Sequence, residues 1–143
     1  MEHDIEFVFF DIGGTLGNRN PSTGVFVPFP SSAKLLGTLR DQMGLRIGII
    51  TTLGDQLTNN DALAMLQNAG LKKFIDPAGF VSDHDAQTAK PDPAIYQFAA
   101  HKAGVEINRC LYVGENFIEV IGAIQAGMKA LLKPSPPGPE LPG

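Results

Sequence analysis

Apolar residues along this chain fall into two alternating patterns. Short β-prone runs stop abruptly at polar or glycine residues, and longer segments repeat their apolar positions every three to four residues. The run 5–10 (IEFVFF) ends at Asp11 and the pair Gly13-Gly14, as a buried strand ending in a tight loop would. Residues 17–30 are rich in Gly, Asn and Pro. Ser31 or Ser32 can then cap a helix whose positions Leu35, Leu36, Leu39 and Met43 share a face, with Gly44 placed to end it. Residues 45–50 (LRIGII) predict a second strand that delivers Thr51, and a helix follows within 55–69. GFVS (79–82) predicts a short third strand. In PDPAIYQFAAHKAG, Asp92 suits the N-cap and Pro93 the first helical position. Ile95, Phe98 and Ala99 form the expected buried stripe, and Gly104 the stop. CLYVG (110–114) is a fourth strand, 116–126 a helix closed by Gly127, and MKALL (128–132) a fifth strand.

This alternation predicts an α/β fold: three Rossmann-like layers, a five-stranded parallel sheet with helices on both faces. Ligands in such folds sit beyond the carboxyl ends of the strands. The length of 143 residues allows one domain, taken as 1–132. The last eleven residues, KPSPPGPELPG (133–143), hold five of the eleven prolines and are expected to be a disordered tail outside the fold. A net charge of −4 offers no basic field for nucleic acid, and no apolar run reaches the roughly 20 residues of a membrane span. A single cysteine, Cys110, and an N-terminus without a cationic, apolar leader pattern point to a cytoplasmic protein. Cys110 starts an apolar strand and is expected as a buried small hydrophobe. His84 is expected as a solvated loop residue and His101 on the polar side of a helix.

The predicted strand ends present Asp11, Thr51 and Glu115, and Lys90 precedes a helix. Two carboxylates, a hydroxyl and an ammonium in one crevice can bind a phosphoryl group together with a divalent cation. Four segments carry these residues in order: FFDIGGTL (9–16), IGIITT (47–52), AKPDPAIY (89–96) and LYVGENFIEVIGAIQAG (111–127). The four key positions lie 40, 39 and 25 residues apart. In these motifs the chain resembles the haloacid dehalogenase-like hydrolases.

The resemblance implies a capless phosphatase-like domain in which Asp11 attacks phosphorus to form an aspartyl-phosphate. Thr51 would bind the phosphoryl oxygens, and Lys90 would neutralise charge on the nucleophile and phosphate. Thr52 and Gly14 would line the phosphorylated substrate, with backbone N–H groups around the carboxylate. Mg²⁺ would be held by Asp11, the Gly13 carbonyl and Glu115. Such a site supplies what phosphoryl transfer needs, positioning and charge neutralisation.

Two residues depart from the family pattern. Its phosphatases read Asp-x-Asp-x-Thr in the first motif, where the second Asp works as general acid and base; here that position is Gly13. Loss of such a group costs roughly 10²–10⁴-fold in rate. Glu115 stands where Asp is usual, which moves a carboxylate by one C–C bond. Glu119 either stands behind the metal ligands or completes a capping box with Asn116.

Residues 17–30 occupy the place of the family's turn and β-hairpin flap, and Arg19, the cation in that stretch, is either a solvated turn residue or a group that meets an anionic substrate. The gaps between motifs are too short for a cap domain, so the open site either admits a large substrate or is covered by a second copy or a partner. Three alternatives remain at this stage. One is a phosphate-binding protein of this fold that has lost turnover. DIGGT also resembles the phosphate turn of two-lobed sugar kinases, which need more chain than this. Receiver domains share Asp, Thr and Lys, but their acidic pair comes first, whereas Glu115 and Glu119 come last.

Overall fold

The computed structural model describes residues 4–136. Phe7–Phe10 forms strand β1, fully buried because it lies at the centre of the sheet with helices on both faces. A two-stranded antiparallel hairpin follows, β2 (Gly17–Arg19) and β3 (Phe26–Pro28). Helix α1 (Ser32–Gly37) runs on into a π-helical turn, Thr38–Gln42, before β4 (Arg46–Thr51). The remaining elements are α2 (Asn59–Asn68), β5 (Phe80–Ser82), α3 (Asp83–Ala86), α4 (Pro93–Ala103), β6 (Cys110–Gly114), α5 (Phe117–Ala126) and β7 (Lys129–Leu132).

The main sheet is parallel throughout, in the order β5-β4-β1-β6-β7. Phe7 is in register with Arg46 on one side and Cys110 on the other. The chain therefore winds outward from β1 in both directions, and the order reverses beside β1, where an open α/β sheet leaves its ligand crevice. Two cores sandwich the sheet. One face packs Phe7, Phe9 and Tyr112 against Ile95, Tyr96 and Ala99 of α4 and Val120 and Ala123 of α5. The other packs Val8, Phe10, Ile47 and Ile49 against Leu36 of α1 and Ala62 and Leu66 of α2. Asp92 caps α4 by accepting from the Ala94 N–H at 2.9 Å, with Pro93 in the first turn as predicted. No helix among the described residues is long and apolar enough to cross a membrane.

Several expectations need correction. Met43 is 62% exposed: the helical path slips into a π turn at Thr38, which takes Met43 off the buried stripe. Ser31 donates no cap; Ser32 is buried and its hydroxyl donates to the Leu16 carbonyl at 2.7 Å instead. Phe98 is 38% exposed, and Tyr96 takes the core position. The short helix α3 was not anticipated; Ser82 and Asp85 close it with a capping box. The tail begins inside the fold. The Lys133 ammonium donates to the Thr15 carbonyl (2.9 Å) and the Ser135 hydroxyl to the Gly14 carbonyl (2.7 Å), so this stretch straps the loop after β1. Residues 137–143 lie outside the described residues.

Candidate active site

Asp11 leaves the end of β1 with its N–H bonded to the Val113 carbonyl, so its carboxylate is delivered at the mouth of the crevice. Lys90 arrives from the loop before α4, and its side chain is 1% exposed. Its ammonium is 2.8 Å from Asp11 Oδ1, 2.9 Å from Glu119 Oε1 and 3.0 Å from the Tyr112 hydroxyl oxygen. The buried cation thus makes two hydrogen bonds, to Asp11 and Tyr112, and an ion pair with Glu119, as a charge at that depth requires. Tyr112 in turn donates to Glu119 Oε1 at 3.2 Å, which closes the ring of contacts.

The packing of α5 permits this arrangement. A Cβ on Gly122 would sit 2.2 Å from the Pro91 carbonyl oxygen, so glycine lets the helix approach the Lys90-Pro91 loop closely enough for Glu119 to reach Lys90. Asn116 caps the helix by accepting from the Glu119 N–H at 3.0 Å. The Glu119 carboxylate goes to Lys90 instead of back to the cap, which resolves the two readings of that residue.

Burial raises the Asp11 carboxyl above its ordinary value, the Glu119 charge adds to this, and the Lys90 ammonium and Ile12 N–H pull it back. Burial likewise pushes the Tyr112 and Tyr96 phenols upward, so both stay protonated donors. Tyr96 donates to the Glu119 carbonyl at 2.7 Å. The Cys110 thiol is pushed up to about 11 by burial, consistent with an inert core residue.

Thr51 ends β4 beside the same crevice and is 6% exposed. Thr52 is exposed, and its hydroxyl accepts the Lys90 backbone N–H at 3.2 Å, tying the two loops together. Asp83, which sequence reasoning passed over, and His84 hold the loop after β4. The Asp83 carboxylate accepts from Leu53 N (2.7 Å) and Gly54 N (3.1 Å), and His84 Nε2 donates to the Gly54 carbonyl at 2.6 Å. His84 is exposed, as expected, and also fastens the loop.

Gly14 has φ +76°, which only glycine adopts without strain. Its N–H is spent on the Gly17 carbonyl (2.9 Å) and Asn18 Oδ1 (3.0 Å), so it shapes the loop and is not a donor to substrate. Gly13 is exposed and a Cβ there would meet nothing within 4 Å. Glu115 lies over the same loop. Its N–H donates to the Thr15 hydroxyl at 3.1 Å, and its side-chain Cγ comes within 2.6 Å of where a Gly14 Cβ would be.

Asp11, the Gly13 carbonyl and Glu115 are all hard oxygen donors on or against one loop, a set suited to a divalent cation such as Mg²⁺. Among the described residues no group of three or more His, Cys, Asp or Glu side chains could hold an ion by itself. A cation here would therefore depend on the carbonyl and on water or phosphate oxygens.

Arg19 is exposed on β2, and its guanidinium donates to Met65 Sδ at 3.7 Å. It lines a cavity of about 150 Å³ with Gly13, Thr51 and Thr52. Sequence reasoning missed Tyr112 as well. A tyrosine in an otherwise apolar strand needs a partner for its hydroxyl, and that was the signal available.

A model of the haloacid dehalogenase-like hydrolases matches residues 22–127. The chain belongs to this family. The matched stretch contains Thr51, Lys90, Glu115 and Glu119 of this haloacid dehalogenase-like hydrolase, and Asp11 joins them through the Lys90 contact. The chain is 34% identical over 108 residues to a phosphatase of Mycobacterium tuberculosis, covering 73% of this chain and 45% of that protein. It is 29% identical over 103 residues to an (S)-2-haloacid dehalogenase of Burkholderia cepacia, covering 72% and 42%. It therefore spans less than half the length of these curated relatives. Among solved structures, a dehalogenase with an intermediate complex superposes with a TM-score of 0.68 at 27% identity, covering 80% of this chain and 48% of that one. A family enzyme from Bacteroides thetaiotaomicron, in complex with magnesium and inorganic phosphate, superposes with a TM-score of 0.73 at 11% identity, covering 94% and 96%. That last likeness concerns the fold.

Proposed function

We propose that this haloacid dehalogenase-like hydrolase is a phosphohydrolase that works through an aspartyl-phosphate on Asp11, with weakened acid catalysis because Gly13 replaces the usual Asp. The observation that carries the reading is the buried Lys90 ammonium, 2.8 Å from Asp11 Oδ1 at the carboxyl end of the central strand. A lysine buried against a carboxylate at that place neutralises both the nucleophile and an incoming phosphoryl group. The phosphatase among the relatives supports the choice of substrate class.

In the proposed reaction an Asp11 oxygen attacks phosphorus. The bond from phosphorus to the leaving oxygen breaks, and its electron pair departs on that oxygen. Thr51 donates to the phosphoryl oxygens, and Lys90 balances their charge. Water then attacks the phosphorus of the aspartyl-phosphate, the Asp11–O–P linkage breaks, and the carboxylate returns. The water's surplus proton passes to phosphate and solvent. Mg²⁺, bound by Asp11, the Gly13 carbonyl and Glu115, would supply charge neutralisation at the phosphoryl group.

Gly13 carries no proton, so leaving groups that depart as stable anions are favoured, acyl and aryl phosphates over alkyl phosphates. The same residue favours a second reading, a phosphate-binding protein without turnover. Steady-state hydrolysis of acetyl phosphate and of a simple alkyl phosphate, with Mg²⁺, separates them. Turnover of the acyl substrate at least about 100-fold above the alkyl one, abolished in Asp11→Asn, is the expected result. Equal rates on both refute the missing-acid argument, and no turnover on either supports the binding reading.

A further inference from the structure

A cavity of about 150 Å³ opens between the loops that follow β1 and β4, the loops that begin at Asp11 and Thr52. Gly13, Thr51 and Thr52 form the side nearest Asp11. Its other walls are Ile12, Phe26 of the hairpin, Leu53, and Leu57, Ala62 and Met65 before and along α2. These walls are apolar, and Phe26 and Ala62 are buried in the core. A cavity of roughly this volume lined by aliphatic and aromatic side chains accepts one benzene-sized ring. Polarity returns at one place, Arg19, whose guanidinium reaches Met65 Sδ at 3.7 Å across the same walls.

We infer that this cavity is a leaving-group subsite for a single small aromatic ring, so that the substrate class is an aryl phosphate with an anionic ring substituent directed at Arg19. The inference rests on the phosphohydrolase reading and narrows it. Three features converge on the same chemistry. The walls exclude a polar alcohol or sugar, which would leave hydroxyls unpaired against Ile12, Phe26 and Leu53. The volume of about 150 Å³ seats one ring, and any larger group would project through the open side into solvent. Gly13, which forms part of the wall, supplies no acid, and a phenolate leaves without one. When the phosphorus–oxygen bond to the ring breaks, its electron pair stays on the phenolate oxygen and is delocalised into a ring already seated in the cavity. An Asp at position 13 would place a carboxylate at the rim of this apolar space, so its absence suits the cavity as well as the leaving group.

Equilibrium binding by titration calorimetry or ligand-observed NMR, in buffer containing Mg²⁺, tests this apart from turnover. Phenylphosphonate should bind at least about 10-fold more tightly than methylphosphonate, the scale set by filling an apolar pocket. A smaller ratio overturns the subsite. Met65→Trp, which fills the cavity, should bring the ratio to within about twofold of unity, and a preference that survives overturns the placement. Should Met65→Trp fail to fold, Leu57→Phe intrudes on the same space from a half-buried position. A carboxylate para to the phosphonate should strengthen binding, and Arg19→Ala should remove that gain; a gain kept in Arg19→Ala overturns the Arg19 contact. Phenyl preference without hydrolysis of any aryl phosphate would leave the subsite standing and refute the phosphohydrolase reading. Hydrolysis without phenyl preference would do the reverse.

Discussion

Restoring an acid at position 13 is the sharpest perturbation of this site. Gly13→Asp adds a carboxyl group where a Cβ meets nothing within 4 Å and the backbone lies outside the left-handed region, so the loop has no steric reason to move. A positioned general acid is worth about 10²–10⁴-fold. At 1.36 kcal/mol per factor of ten, that is about 3–5 kcal/mol off the barrier. The gain should appear where the leaving group needs a proton. The assay is kcat/KM for a series of phosphates ordered by leaving-group basicity, from acetyl through aryl to alkyl, in both proteins. Alkyl phosphates should gain at least about 100-fold while acetyl phosphate changes little, which flattens the dependence on basicity. The new carboxylate also raises local negative charge beside Asp11, so the optimum pH should move upward. A Gly13→Asp protein of unchanged melting temperature, with phosphate binding intact and no alkyl gain, would refute the claim that the rest of the machinery is complete. An equal gain on acetyl and alkyl substrates would refute the assignment of position 13 to leaving-group protonation.

Three further predictions follow from the same contacts. Tyr112→Phe removes the hydroxyl that accepts from Lys90 at 3.0 Å without changing ring volume, leaving a donor of a buried cation unpaired; urea unfolding should show a loss of about 2 kcal/mol. Because Glu119 helps to raise the Asp11 carboxyl, Glu119→Gln should lower it and shift the acid limb of kcat/KM toward lower pH; a shift upward would contradict the geometry. Asp76 is held below its ordinary value by the forked Arg46 guanidinium, at 3.0 and 3.3 Å. Its stabilisation is therefore present above the usual carboxylate value of 3.8 and lost as pH falls through the lower folded value. In this half-exposed pair Asp76→Ala should cost about 1 kcal/mol by urea unfolding at pH 7, and less at pH 3.

Asp11 has the opposite linkage. Its folded-state value is raised, so between 3.8 and that value the native protein holds the proton more tightly than the unfolded chain does. Stability falls as pH rises through that window. The site therefore works against the fold at neutral pH, and the Lys90 contact limits that cost. A carboxylate held partly desolvated at a candidate site is the physical form such a compromise takes.

Much of this protein was legible in one dimension. The runs FVFF, RIGIIT and CLYVG are apolar and β-prone enough to be strands buried on both faces, and alternation with helices leaves a parallel sheet as the way to pair them. Asp92-Pro93 and Gly104 mark the ends of α4 through local backbone chemistry, which needs no tertiary partner. Asp11, Thr51 and Glu115 could be picked out as candidates at strand ends, and Lys90 with them through the order of the four motifs that resemble the family. Short-range pattern carries all of this.

The contacts that complete the site depend on elements far apart in the chain, and periodicity has no access to them. Glu119 meets Lys90 because Gly122 lets α5 close on the Pro91 carbonyl, and Tyr112 meets it from β6. Asp83 and His84 hold the Leu53-Gly54 loop across neighbouring strand ends, and Lys133 and Ser135 strap the loop after β1 from more than a hundred residues away. Met43 and Phe98 left their expected stripes because a π turn and a competing tyrosine decided which side chain the core could take. Sequence thus determined which residues are the candidates at the strand ends. Tertiary packing decided which of their atoms touch, because burying a lysine among apolar layers demands partners that only the assembled sheet and its helices supply.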